Sequence, residues 1–261
     1  MPRWSAFAVS SRGSSHAVTD EPCQDHCIAR QFGEAHILAL SDGAGSCEHS
    51  NLGSRAACAG FVRRARELIA PYLSDAAALD AYLESSSRDD WRFAIEGARE
   101  LIERVAIKRT LDAQRTMACT LLGAVVGRSV AIVIQIGDGA WVAEIESSRY
   151  RCVTWPENGE FANETFFVTQ ADWFEHLQFE MIPKSDELRT LTGFSDGMER
   201  LCIDFSSRTP VEGFFRPLAN IRHATPRREF EKSLRFFLAS GRVTQKTDDD
   251  CSLVAVCREG I

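Results

Sequence analysis

The chain has 261 residues, 44% of them apolar, enough for one large domain with a sizeable core. Its 37 acidic and 30 basic side chains leave a net charge of −7, which argues against nucleic acid or an anionic membrane as a generic partner. No apolar run approaches the roughly 20 residues that span a bilayer, and Met1-Pro2-Arg3-Trp4 opens no signal peptide.

Trp4 to Ser10 alternates as a first strand, and Ser11 to His16 reads as a polar loop. His36 to Ser41 is a second, apolar strand ending at Asp42. From about Asn51 to Ala70, the residues Ala57, Phe61, Ala65 and Leu68 recur at helical spacing, and Pro71 marks the end. Ser85 to Asp90 reads as a linker whose acids cap a helix from about Trp91 to Leu111. Ala118 to Val126 and Ser129 to Ile136 are strands flanking Gly127-Arg128, a two-residue hairpin signal. Trp141 to Ile145 and Tyr150 to Val153 form another antiparallel pair. The aromatic-rich stretch from about 154 to 184 reads as a flap-like insertion. Glu187 to Ser195 is again a strand. Thr225 as N-cap and Pro226 at the first helical position open a helix that Gly241 ends. Cys251 to Cys257 is the last strand. Hairpin-linked strands with long helices outside predict an α+β fold, sheet on sheet, in a single domain over residues 1–261.

The nine cysteines are odd in number and scattered, several within apolar runs. They read as reduced thiols of a cytoplasmic protein. Cys23 and Cys27 flank His26, but no second Cys or His pair at ligand spacing follows, which argues against zinc. Arg63-Arg64-Arg66 reads as a solvated helix face. Trp155, Phe161, Phe166, Phe167, Trp173 and Phe174 read as core or flap packing.

Three apolar runs end in Asp-Gly, at Asp42-Gly43, Asp138-Gly139 and Asp196-Gly197, and Asp248-Asp249-Asp250 precedes the last strand. A single Asp-Gly is a common hairpin turn, because both residues tolerate positive φ. Asp42-Gly43 leads towards a helix and Asp196-Gly197 into mixed sequence, whereas Asp138-Gly139 remains open to the hairpin reading. Carboxylates held at strand ends can converge in space although far apart in sequence. Such oxygen-only sets suit Mg²⁺ or Mn²⁺. Two ions about 3.5–4 Å apart hold a bridging water, lower its pKa and clamp a phosphate for in-line attack. That chemistry needs no protein nucleophile, and the chain has neither a Gly-x-Ser-x-Gly elbow nor a P-loop.

Cys23-Gln24-Asp25, Ser41-Asp42-Gly43-Ala44-Gly45-Ser46, Ala118-Cys119-Thr120, Ile136-Gly137-Asp138-Gly139, Phe194-Ser195-Asp196-Gly197 and Asp249-Asp250-Cys251-Ser252 follow one another along the chain. In this order they resemble the motifs of type 2C metal-dependent protein phosphatases. His16 with Pro22-Cys23-Gln24-Asp25 is similar to a bacterial branch of that family. The resemblance implies a four-layer α/β/β/α sandwich with two central antiparallel sheets. It implies a serine/threonine protein phosphatase using two Mn²⁺ or Mg²⁺ ions, with a third possible, on a phosphorylated protein. Asp42, Asp196 and Asp249 would carry the chemistry. Asp42 would bridge the ions, Gly43 would add its carbonyl, and Asp196 and Asp249 would hold the first ion. Asp138 would share a third ion with Asp196, and Asp25 would act through water or from behind the ligands. Gln24 stands where the family often has Glu.

Three departures bear on mechanism. Asp20 stands where many members have Arg, which leaves His16 or Arg12 to meet the substrate phosphate. Ala44 stands where many have a histidine proposed as general acid. Asp138-Gly139 lacks the usual Ser-Arg continuation. A catalytically weak module that binds metal or a phosphoprotein is the alternative. A monomer is expected, with no nucleic acid or membrane partner.

Overall fold

The computed structural model describes residues 4–146, 149–157 and 165–259. In chain order its first elements are β1 (Trp4–Ser11), α1 (Ser14–Thr19), β2 (His26–Phe32), β3 (Ala35–Ser41), α2 (Ser50–Ile69), α3 (Ala76–Ser85), α4 (Arg92–Arg109) and α5 (Ala113–Thr116). Five strands follow: β4 (Leu121–Val126), β5 (Ala131–Ile136), β6 (Ala140–Ile145), β7 (Arg149–Cys152) and β8 (Gln178–Ile182). The rest are β9 (Thr190–Phe194), α6 (Glu199–Cys202), β10 (Ile203–Asp204), β11 (Thr209–Pro210), α7 (Glu212–Ala224), α8 (Arg227–Leu238), α9 (Gly241–Thr244) and β12 (Cys251–Arg258).

One sheet runs β1-β12-β9-β6-β7 and the other β2-β3-β4-β5-β8, each antiparallel throughout. Side chains alternate across each strand, so every central strand serves two cores. On β3, Leu38 and Leu40 point between the sheets, where they join Trp141, Val254 and Val256. Ile37 and Ala39 point the other way, into a cluster with Phe61, Ile95 and Ile102 of α2 and α4. On β12, Leu253 and Ala255 face a third cluster with Phe215, Phe230 and Leu234 of α7 and α8. The result is the four-layer α/β/β/α sandwich. Full burial of a side chain such as Phe61 contributes about 2–3 kcal/mol.

Several local expectations are corrected. β2 carries no clear strand signal, because His-Cys-Ile-Ala-Arg-Gln-Phe is the mixed-polarity sequence of an edge strand. The loop expected over Ser11 to His16 is split between the end of β1 and the six-residue α1. The helix α3 is an addition to the expected elements, and Asp75 caps it by accepting from the amides of Ala77 and Ala78. The acids before α4 do not cap it. Asp90 instead accepts from the Ser87 amide and hydroxyl, both at 2.7 Å. Val126 pairs with Ala131, so the turn at Gly127 holds four residues rather than two. Pro226 caps α8, Thr225 closes α7, and Gly241 opens α9 instead of ending α8. Arg64 is less solvated than expected. It meets Glu67 at 3.0 Å and Glu100 of α4 at 2.7 Å, and lies 4.6 Å from the centre of the Phe93 ring.

Phe161 and the middle of the predicted flap lie outside the described residues. The part that follows is docked on the helical layer. Val168 and Trp173 are buried, and Arg88 and Arg99 donate to the carbonyls of Phe174, Val168 and Gln170. β8 then pairs with β5 and completes its sheet.

His36 on β3 is 4% exposed, and its Nδ1 has no hydrogen-bond partner. Burial first, and Arg227 second, push its pKa from 6.5 down to about 4. Between those values the unfolded chain takes up a proton that the fold refuses. The stability this group contributes is therefore complete above about pH 6.5 and is lost as the pH falls towards 4. Urea denaturation at pH 7 and pH 5 tests this. His36→Gln is expected to lose about 2 kcal/mol less than the wild type between the two pH values. Equal losses would show that the fold does not hold His36 neutral.

Candidate metal centre

The aspartates come from both sheets. Asp42 follows β3 and Asp138 follows β5 of one sheet, and Asp25 precedes its edge strand β2. Asp196 follows β9 of the other sheet, and Asp249 lies just before β12. Asp42, Asp138, Asp196 and Asp249 line one cleft of about 270 Å³ together with Gln24, Gly43 and Thr120. Asp25 sits behind them, 4% exposed, and feels the charges of Asp196 and Asp250. Among the described residues no basic side chain lines the cleft.

Each segment is fixed by hydrogen bonds. The Asp42 amide donates to Thr120 Oγ1 at 3.0 Å, and the Thr120 amide returns to the Asp42 carbonyl at 2.9 Å. Ser195 Oγ donates to Asp25 Oδ2 at 2.7 Å and accepts from the Ser252 amide at 3.0 Å, which ties Asp25 across the sandwich. Asp138-Gly139 is not a hairpin turn. It joins β5 of one sheet to β6 of the other. Gly139 has φ +77°, a conformation that L side chains rarely adopt, and a Cβ there would lie 2.3 Å from the Phe194 carbonyl oxygen. The buried Gln135 donates to the carbonyls of Gly137 and Gly139, both at 3.0 Å, and so braces the turn on either side of Asp138.

Asp250, 2% exposed, is a clamp beside the cleft. It accepts from the Gly13 amide at 2.6 Å and the Gln24 amide at 2.5 Å. His16 Nδ1 lies 3.0 Å from Asp250 Oδ1. The two residues expected to meet phosphate are not among those that line the cleft. The His16 side chain is 13% exposed, against Asp250. That of Arg12 is 42% exposed, 3.6 Å from Asp20, and donates to the Glu21 carbonyl.

Carboxylates gathered without cations hold on to protons. Burial is the largest cause, and neighbouring carboxylates add to it. Asp25 is pushed up to about 7, Asp138 to about 8 and Asp249 to about 6, and Asp42 rises well above its ordinary value. Asp25 Oδ1, Asp138 Oδ1, Asp196 Oδ1 and Gln24 Oε1 are buried with no hydrogen-bond partner. Unsatisfied oxygens of this kind are costly unless something positive meets them. An all-oxygen set is the donor chemistry of Mg²⁺ or Mn²⁺, so these residues fit such ions. Among the described residues no three His, Cys, Asp or Glu side chains form a closed ligand set. The fit rests on donor type and unmet oxygens, not on a finished cage.

Sequence reasoning missed Glu199. Its carboxylate accepts from the Gly139 amide at 2.9 Å, and burial followed by the charge of Asp196 raises its pKa to about 7. Its place three residues after Asp196 was the available signal. Thr165, which accepts from the Asp138 amide at 3.0 Å, carried none.

Two antiparallel sheets between helical layers, with an oxygen-only acidic cleft supplied by both, define the class of metal-dependent phosphohydrolases. The profile of the family "Protein phosphatase 2C" matches residues 12–239. The chain belongs to that family and is a metal-dependent protein phosphatase. It is 30% identical over 261 residues, 96% of each chain, to "Serine/threonine-protein phosphatase 3" of Escherichia coli strain K12. Solved structures share the fold at lower identity. A serine-threonine phosphatase 2C from Toxoplasma gondii superposes with a TM-score of 0.65 at 10% identity, covering 98% of this chain and 95% of that one. PppA of Pseudomonas aeruginosa gives 0.63 at 14%, covering 98% and 97%. Stp1 of Staphylococcus aureus gives 0.61 at 12%, covering 100% and 96%. No observation favours the non-catalytic alternative.

The raised carboxyl groups set a pH dependence. A carboxyl whose pKa is higher in the fold than in the unfolded chain stabilises fully below about pH 4, and loses that contribution as the pH rises through its folded value. In chelator, Asp138→Asn is expected to lose less melting temperature than the wild type between pH 5 and pH 8. Saturating Mn²⁺ should shrink the difference. Parallel wild-type and Asp138→Asn curves in chelator would contradict the electrostatic reading.

Proposed function

We propose that residues 1–261 act as one monomeric catalytic unit that hydrolyses phosphoserine and phosphothreonine on proteins with two Mn²⁺ or Mg²⁺ ions and a weaker third. The observation that carries this reading is the set of unpartnered carboxylate oxygens in a cleft with no lining cation. Asp42 with the Gly43 carbonyl, Asp196 and Asp249 would hold the two ions. Asp25 would assist through water, and Asp138 with Asp196 would take the third. Bound divalent ions supply Lewis acidity towards phosphate and a water nucleophile usable at neutral pH.

The chain's own contribution is to fix oxygens in place. Thr120 holds the Asp42 backbone, Ser195 aims Asp25, and Gln135 braces the Asp138 turn. Arg12 keeps an exposed guanidinium next to Gly13, whose amide is held by Asp250, so we assign it the substrate phosphate. His16 is committed to Asp250 and braces that clamp. Ala44 offers no proton to the leaving oxygen. The nine cysteines are all free thiols, which fits a reducing compartment such as the cytoplasm. Among the described residues no helix is long and apolar enough to cross a membrane.

Turnover of phosphoserine and phosphothreonine peptides by purified protein tests this reading. Activity is expected with Mn²⁺ and lost in chelator. Asp42→Asn and Asp196→Asn are expected to lower kcat/KM at least about 100-fold. Arg12→Ala should raise KM more than it lowers kcat. Full activity of Asp42→Asn, or turnover indifferent to chelator, would overturn the proposal.

A further inference from the structure

A second concavity, of about 720 Å³, lies between the edge strand β2 and helix α2. Its floor is apolar, with Ile28 and Phe32 from β2, Val62 from α2, and Leu73. The far end is closed by the β2–β3 turn, where the Glu34 amide donates to the Leu73 carbonyl at 3.1 Å. The groove is therefore built between fixed elements.

Its charge runs against that of the molecule. The chain carries a net −7, yet Arg30, Arg63 and Arg66 stand around this groove, all exposed. The acid that lines it, Glu67, is paired with Arg64 at 3.0 Å. Arg63 shares Glu100 at 3.8 Å with Arg64, which holds the same carboxylate at 2.7 Å. Arg66 lies over the Phe32 ring at 5.1 Å. Among the described residues neither Arg30 nor Arg66 makes an ion pair with a carboxylate. β2 is also an outer strand, and such an edge can accept an extended chain.

β2 begins at His26, directly after Asp25 of the metal centre. A segment laid along the groove would therefore lead towards the cleft. Arg30 is five residues beyond Asp25, about 16 Å of strand.

We infer that this groove docks an extended, acidic and apolar segment of the phosphoprotein substrate, some five to eight residues from the phosphorylated side chain in the cleft. This rests on the phosphatase reading of the cleft. Apolar side chains of the segment enter between Phe32 and Val62, its carboxylates meet Arg30 and Arg66, and its backbone pairs with β2. The competing explanation is that Arg30 and Gln31 merely guard an edge against self-association.

Two sets of peptides with one phosphoserine core separate these readings. One set carries a Glu-Val-Glu-Leu tail spaced five to eight residues away, on either side of the core. The other carries Gln-Ser-Gln-Ser at the same places. For the wild type, one placement of the acidic tail is expected to lower KM at least about fivefold, with kcat unchanged. Arg30→Glu with Arg66→Glu should abolish that preference while leaving hydrolysis of p-nitrophenyl phosphate unchanged. Equal KM values for both sets in the wild type, or a preference that survives the double substitution, would overturn the inference. Loss of p-nitrophenyl phosphate turnover in the wild type would instead count against the phosphatase reading itself.

Discussion

Carboxylates that repel one another are held at one end of this sandwich with no basic side chain among the described lining of their cleft. The hydrogen bonds around them make sense in relation to that repulsion. Left to themselves, Asp25, Asp42, Asp138 and Asp249 keep protons well above the ordinary carboxylate range. A fold that tolerates this must recover the free energy elsewhere, and here the source is the three apolar clusters. Divalent cations bound there would remove the repulsion and satisfy the unpartnered oxygens together, so stability and activity would depend on the same ions.

The sandwich is suited to the task because each sheet holds only part of the acidic set. Asp25, Asp42 and Asp138 flank strands of one sheet, and Asp196 and Asp249 flank strands of the other. Their relative position is set by ties that cross between the layers. Asp250 joins the start of α1 to the segment before β2, and Ser195 joins Asp25 to β12. Gly197 allows a close approach between the two acidic loops, since a Cβ there would lie 2.1 Å from the Asp250 carbonyl oxygen. The side chains with no direct part in phosphate chemistry thus decide where the acids stand.

Much of this was legible in the sequence. The alternation of Ile37 to Leu40 and the helical spacing of Ala57, Phe61 and Ala65 are strong local signals, and they survive tertiary packing. The three Asp-Gly strand ends and the Asp248-Asp249-Asp250 run marked the four acids that line the cleft. The edge strand β2 was hidden because its outer positions, Arg30 and Gln31, break the apolar pattern. The helix α7 was hidden by Pro217 in its interior. The hairpin reading of Asp138-Gly139 could not be dismissed locally. A turn between two sheets and a turn within one need the same residues, and only the pairing of β5 and β6 with different partners tells them apart. The partners of the site, Gln135, Thr165 and Glu199, meet Asp138 or Gly139 through space or through backbone atoms, which no motif spacing records.

The most direct test is anomalous diffraction from crystals of this protein grown with Mn²⁺. The account predicts at least two manganese peaks in the cleft, within ligand distance of Asp42, Asp196 and Asp249, and no peak bridged by residue 42 in crystals of Asp42→Asn. An absence of peaks in the cleft of the wild type at saturating Mn²⁺, or peaks confined to other surface acids, would contradict it.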